Sequence, residues 1–276
     1  MTPPESAIFA RRARLPAGWA HGVSLRLANG RISAIDIGAP QPGNAVAVDT
    51  LLPAPANLHS HAFQRALAGM TERRQAGQDS FWTWRTLMYA FLERLTPDQI
   101  EAIAAQVFLE MLEAGYSAVG EFHYLHHQPN GMPYDDLAET SARIAAAAAE
   151  TGIGLTLLPV LYTYGGAGRL PVEGGQRRFA NDPDRFARLV EAAGAAASDL
   201  PPDTVVGIAP HSLRATDPEG LAATVADHPS GPVHIHIAEQ TREIDQIEAW
   251  LGARPVKWLL ASQPVDRRGA WSTPPT

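Results

Sequence analysis

There is no cysteine in these 276 residues. Disulfides and thiolate metal sites are therefore excluded, and any transition metal must be held by His, Asp or Glu. Long apolar runs are also missing. No stretch reaches the roughly 18 residues that a membrane-spanning helix needs, and Arg11, Arg12 and Arg14 precede no segment that reads as a signal peptide. Cations are in deficit, with 22 Lys and Arg against 29 Asp and Glu and a net charge of -7. That balance offers no electrostatic case for nucleic acid or an anionic membrane. The expectation is a cytoplasmic protein. Hydrophobic residues make up 45% of the chain, enough for a substantial core.

The first 49 residues read as a small β unit. Segments 22–27 and 31–35 alternate apolar and polar positions around Asn29-Gly30, the strongest short hairpin signal. An apolar run from Leu51 then leads into His59-Ser60-His61. On a strand, residues i and i+2 share a face, so these two imidazoles can aim at one point. Further on, Thr96-Pro97-Asp98-Gln99 opens a helix with a capping-box pattern and Pro at its first position; it runs to about residue 114 and stops at Gly115.

A regular alternation follows. Strands are expected at 116–122, 153–161, 204–209 and 232–238, and helices at 135–150, 182–197, 217–227 and 241–250. The strands are continuous apolar runs, as parallel strands covered on both faces are. With the Leu51 run this makes five β-α units in series, the pattern of a parallel α/β architecture. A doubly wound sheet is the rival to a barrel. Its nucleotide-binding form is disfavoured, because no glycine-rich phosphate loop follows the first strand.

Polar residues stand where the strands finish: His59 and His61, then Glu121, His123 and Tyr124, then Tyr162 and Tyr164, then His211 and Arg214, and finally His236 and Glu239. In a (β/α)8 barrel the active site lies at that end of the strands. Either His234 or His236 could complete a metal site. His236, nearer the strand's C-terminal end, is the better placed, and His234 reads as a buried, hydrogen-bonded core residue. His126 and His127 read as solvated loop residues, Tyr162 and Tyr164 as packing, and Arg85 equally as a surface arginine beside Trp84. His21 and His228 suggest no role.

Five motifs in order carry a resemblance. They are Asn57-Leu58-His59-Ser60-His61-Ala62-Phe63-Gln64-Arg65, Phe81-Trp82-Thr83-Trp84-Arg85, Gly120-Glu121-Phe122-His123-Tyr124, Ala209-Pro210-His211-Ser212-Leu213-Arg214 and His234-Ile235-His236-Ile237-Ala238-Glu239-Gln240. Together they resemble the amidohydrolase superfamily and, within it, the formimidoylglutamate deiminase family. The resemblance implies that His59, His61 and His236 hold one zinc ion. It implies that Glu239 shuttles protons, that Gln64 contacts the formimino group, and that Arg85, Tyr124, His211 and Arg214 hold two substrate carboxylates. The reaction implied is hydrolytic deamination of N-formimidoyl-L-glutamate to N-formyl-L-glutamate and ammonia, in histidine degradation. Two guanidinium forks suit a dicarboxylate on physical grounds as well. The alternatives are another aminohydrolase acting on guanine, a related ring or a different amidine, and a metal-binding fragment without turnover.

The implied fold is an incomplete (β/α)8 TIM-like barrel of about five of eight β-α units, with the β unit ahead of it. The expected divisions are a β unit over 1–49, the barrel over 50–268 and an aberrant tail over 269–276. The family pattern continues past Arg268 through a further histidine strand and a metal-binding aspartate. A coding of its usual Trp-Cys-Leu-Val-His-Ala-Thr-His, read one base over, gives Gly-Ala-Trp-Ser-Thr-Pro-Pro-Thr, the residues that stand at 269–276. The tail is therefore expected to come from a frameshift and to form neither strand nor helix. A truncated barrel would expose strand edges, so the chain as written is expected to be poorly soluble or domain-swapped and little active. The full-length family form is compatible with a homodimer.

Overall fold

Asn29 and Gly30 both adopt positive φ, 52° and 73°, and Ala28 pairs directly with Arg31 across them. This is the two-residue turn whose twist matches that of the strands it joins. The computed structural model describes residues 6–70 and 81–272, with side chains described for 6–70 and 87–270. The hairpin joins β2 (Gly18–Ala28) to β3 (Arg31–Ile37). With β1 (Ser6–Leu15) and β4 (Ala45–Leu51) they form one sheet in the order β3-β2-β1-β4. Ala10, Ala13, Val23 and Leu25 form its core, with Leu51 packed against them. The Leu51 run therefore belongs to β4, which pairs with β1, and does not lead into the histidines. This compact unit runs to Pro55.

The second unit alternates strands and helices. Its strands are β5 (Ala56–Ser60), β6 (Ala118–His123), β7 (Gly154–Leu161), β8 (Val205–Val206), β9 (Ala209–Pro210), β10 (Val233–His236) and β11 (Gly269–Ser272). Between or after them lie α1 (Phe81–Leu92), α2 (Pro97–Glu113), α3 (Glu139–Thr151), α4 (Pro183–Ala196), α5 (Pro218–Asp227), α6 (Thr241–Leu251) and α7 (Pro255–Ser262). β5, β6, β7 and β8 pair side by side, all parallel. β9 continues on β7, and a bridge from Ile208 to Val233 brings in β10. An α/β unit with a parallel sheet is what the alternation predicts.

Helix starts follow local chemistry. Thr96 and Gln99 form the reciprocal capping box expected of them. Asp182 and Asp217 cap α4 and α5 by accepting from the third backbone N–H, with Pro at the next position.

Two departures have identifiable causes. The strand expected at 204–209 breaks at Gly207, where a Cβ would lie 2.4 Å from the Pro232 carbonyl; the backbones meet too closely for continuous pleating. Residues 269–272 do form a strand, contrary to expectation, because pairing in register with Val233–His236 needs only backbone groups. α1 and α7 are additional helices.

Among the described residues Arg178 is the largest fully buried side chain, and none of them gives it a carboxylate. It donates to the carbonyls of His127, Leu92 and Leu95. The Leu92 carbonyl is at the C-terminal end of α1, where a cation is favourable.

Candidate metal centre

β5 carries His59 up to its end at Ser60, and His61 follows immediately. The register with β6 shifts between Asn57 and Ser60. A bulge of this kind re-aims side chains, and Gly120 on β6 makes room for it: a Cβ there would stand 2.8 Å from the Leu58 carbonyl. The two imidazoles of His59 and His61 converge on one point, as residues two apart at a strand end can. His59 Nε2 lies 3.1 Å from His61 Nε2 and 2.9 Å from His236 Nε2, at the end of β10. All three nitrogens lie within 4.8 Å of one another.

Their chemistry fits a bound cation. His61 Nδ1 is 3.0 Å from the Phe122 carbonyl. A carbonyl can only accept, so Nδ1 carries the hydrogen and Nε2 offers its lone pair. A single nitrogen of His59 faces two others, and it can either carry a proton or offer a lone pair. Hydrogen bonding alone leaves one contact poorly satisfied, whereas a shared cation satisfies all three. Ligands at about 2.0–2.1 Å in tetrahedral array would stand roughly 3.4 Å apart, close to the spacing found. Burial holds the rings neutral, as ligands must be. It pushes His61 down to about 3, with the His59 charge adding to the effect, and lowers His59 and His236 too. His236 is also fixed by stacking on Phe122, centroids 4.4 Å apart. His234, the rival ligand, is buried with its ring parallel to His59 at 6.4 Å, outside the cluster.

A cavity of about 280 Å³ opens beside these nitrogens, lined by His61, Gln64, Met88, Tyr89, Tyr124, Tyr162, Phe179, His211, Arg214, His236 and Glu239. Eight of the site residues named from the sequence thus stand in or around one space: His59, His61, His236, Gln64, Tyr124, His211, Arg214 and Glu239. The Arg85 side chain lies outside the described residues. Gln64 Nε2 donates to the Tyr124 hydroxyl at 3.0 Å. Tyr164 faces elsewhere, bonding Asp217.

Arg214 organises the polar end. Its Nη1 donates to the Tyr162 hydroxyl at 3.1 Å, Nη2 lies 3.7 Å from Glu239 and Nε 3.8 Å from Glu243. Burial works against its charge, but Tyr162, Glu243 and Glu239 more than offset this and raise its pKa. Glu243 is a residue that sequence reading missed. It stands in the first turn of α6 and accepts the Glu239 N–H at 3.1 Å, so it holds the Glu239 backbone. Burial raises its pKa, with Arg214 opposing. The spacing Glu239-Gln240-Thr241-Arg242-Glu243, with an acid at the third helical position, is a capping signal that could have found it. Glu121 is fully buried and accepts the Ala62 N–H at 2.7 Å, fixing the turn after His61. Burial pushes it up to about 8.

His126 and His127 are not solvated; both are fully buried. Their backbone N–H groups bond the Arg178 carbonyl, and their Nε2 atoms lie 3.0 Å from the Val160 and Ala180 carbonyls. Together with His123, whose Nε2 is 3.0 Å from Thr140 Oγ1, they form a buried cluster. Burial holds His123 down to about 3 and His126 well below its ordinary value. Below about pH 6.5 the unfolded chain binds protons that the fold refuses, so stability is complete above that pH and falls as pH drops towards about 3. Each such group costs up to about 2 kcal/mol between pH 6.5 and pH 5. Thermal melts of the metal-free chain should therefore show a clearly lower Tm at pH 5 than at pH 7, and His123→Gln should reduce the difference. Equal melting temperatures would contradict this.

Residues 50–259 match the amidohydrolase family, and residues 5–46 match the formimidoylglutamate deiminase HutF N-terminal domain. The chain is 49% identical over 272 residues to a formimidoylglutamate deiminase of Pseudomonas aeruginosa, spanning 95% of this chain and 58% of that protein. An amidohydrolase crystal structure from Brucella melitensis superposes with a TM-score of 0.93 at 48% identity, covering 96% of this chain and 59% of the other. An adenosine deaminase from Xanthomonas campestris with bound zinc superposes at 0.69 and 19% identity, covering 98% and 58%, and so shares the fold. The resemblance drawn from the five motifs is borne out.

Proposed function

This chain belongs to the amidohydrolase family, and on that premise we propose that it serves the zinc-dependent hydrolytic deamination of N-formimidoyl-L-glutamate to N-formyl-L-glutamate and ammonia. The observation that carries the proposal is a cluster of three imidazole nitrogens, two of whose residues, His61 and His236, line one cavity together with the mostly buried guanidinium of Arg214. The chain spans just under three-fifths of the P. aeruginosa deiminase, and we read its parallel strands as part of a (β/α)8 barrel.

His59, His61 and His236 would hold the zinc ion. When bound, it supplies the Lewis acidity that lets water act as a nucleophile near neutral pH. Arg214, with Tyr124 and His211, binds a substrate carboxylate, and Arg85 is assigned the other. Gln64 sits beside Tyr124, where it can bond the formimino group. Hydrolysis puts oxygen in place of the amidine nitrogen, which leaves as ammonia and needs a proton. Glu239 lines the same cavity and is the carboxyl placed to give it. Glu239→Gln should lower kcat for ammonia release about 10²–10⁴-fold while metal content stays unchanged; loss of less than tenfold would remove Glu239 from the chemistry.

A ring aminohydrolase is the second reading, and the buried Arg214 weighs against it, since a neutral nucleobase has little use for a guanidinium. Ammonia release from N-formimidoyl-L-glutamate, guanine and adenosine, compared at equal concentration on the zinc-loaded chain, decides. The proposal expects preference for the dicarboxylic amidine at whatever absolute rate the chain sustains. Preference for a ring would replace it, and zinc bound with no release from any substrate would favour a metal-binding remnant.

A further inference from the structure

Tyr162 follows β7, lines the cavity and is 2% exposed. Its hydroxyl oxygen meets two groups: Arg214 Nη1 at 3.1 Å and Gln176 Nε2 at 2.9 Å. Both can only donate. A guanidinium has no acceptor. The Gln176 amide is oriented twice over, because its Oε1 accepts the Glu173 N–H at 3.0 Å and its Nε2 donates to the Gly165 carbonyl at 3.1 Å. The nitrogen therefore faces Tyr162. With both acceptor positions of the phenol oxygen taken, its one hydrogen must be given to a third group. Among the described residues none accepts it. Tyr124 differs, because its one amide contact, from Gln64, is not oriented by a second partner.

We infer that the Tyr162 hydroxyl is a ligand-binding donor, held ready for a carboxylate oxygen that lies against Arg214. A buried O–H without an acceptor is costly, so the cavity must supply one when filled. Beside a guanidinium that its neighbours keep charged against the effect of burial, the acceptor that gains most is an anion with directed lone pairs. A carboxylate can take the Tyr162 hydrogen and an Arg214 N–H together. Gln176 acts as a positioning residue: it fixes which way the phenol hydrogen turns. The inference rests on the reading of this cavity as a site for a dicarboxylic amidine, and it assigns one more donor to that substrate.

The test is calorimetric binding to the zinc-loaded chain of N-formyl-L-glutamate and of its two monoamides, N-formyl-L-glutamine and N-formyl-L-isoglutamine. Tyr162→Phe should weaken N-formyl-L-glutamate about 10–100-fold, with most of that loss absent for the monoamide lacking the contacted carboxylate. Where turnover is measurable, KM should rise with kcat largely kept. Equal weakening of all three ligands, or unchanged affinity, would overturn the inference, as would a wild-type chain that binds no carboxylate. Should Tyr162→Phe not fold, Gln176→Glu offers the phenol hydrogen an acceptor away from the cavity and should give the same ligand-selective loss; unchanged affinity would overturn the inference. Binding that depends on Tyr162 without ammonia release would sink the proposed reaction and leave this donor standing. Release with affinity indifferent to Tyr162→Phe would do the reverse.

Discussion

His236→Ala is expected to reduce zinc from about one equivalent per chain to near zero, whereas His234→Ala should leave it intact. The two histidines sit two residues apart on β10, and the sequence favours His236 only because it stands nearer the strand's end. The geometry supports the same choice. His236 Nε2 stands 2.9 Å from His59 Nε2, while the His234 ring lies parallel to His59 at 6.4 Å and its nitrogens join no cluster. Losing an outer partner of a ligand costs roughly 10–100-fold in metal affinity; losing a ligand from a set of three should cost more. His59→Ala and His61→Ala should behave like His236→Ala. Metal analysis after dialysis reads all four variants. Metal retained in His236→Ala and lost in His234→Ala would reverse the assignment.

Arg214→Met should weaken a dicarboxylate ligand by about 30-fold to several thousand-fold, the effect of removing one partner from a buried, hydrogen-bonded charge pair. Arg214→Lys should restore little, because a point charge cannot reproduce the fork. The same change strands Glu243, which is buried and 3.8 Å from Nε. Leaving a buried charge unpaired costs about 3–5 kcal/mol unless the group takes up a proton. Burial already raises the Glu243 pKa and Arg214 restrains it; without Arg214 the carboxyl should stay protonated further up the pH scale. A raised folded pKa gives stability that is present at low pH and lost as pH rises past the ordinary glutamate value of 4.5, so Arg214→Met should lose Tm relative to wild type as pH is raised above that value. A variant with unchanged ligand affinity would contradict the role given to Arg214. One with a pH-independent deficit would contradict that given to Glu243.

What could be read in the chain was whatever depends on neighbours in sequence. Asn29-Gly30, the Thr96/Gln99 box and the caps at Asp182 and Asp217 act within four residues, and each forms as its local chemistry dictates. The candidate metal-binding set was legible because strand order brings distant residues together: His59, His61 and His236 lie 177 residues apart at the extremes yet meet at the ends of β5 and β10. The misreadings are of contacts made at a distance. His126 and His127 look like loop residues until Arg178, some fifty positions on, supplies the carbonyl that buries them. Leu51 looks like the entry to the histidine strand until β1 claims it. Tyr162 looks like packing until Gln176 and Arg214 both turn donors on it. Residues 269–272 carry no strand signal and pair through backbone alone.

The central claim is that three imidazoles of this chain bind one metal ion beside a carboxylate-binding cavity. X-ray absorption at the zinc edge of the zinc-loaded chain tests it most directly. The account predicts one equivalent of zinc with three nitrogen scatterers at about 2.0–2.1 Å, carrying the multiple scattering of imidazole rings. A shell of oxygens alone, or a zinc ion whose imidazole count survives His59→Ala, would contradict it.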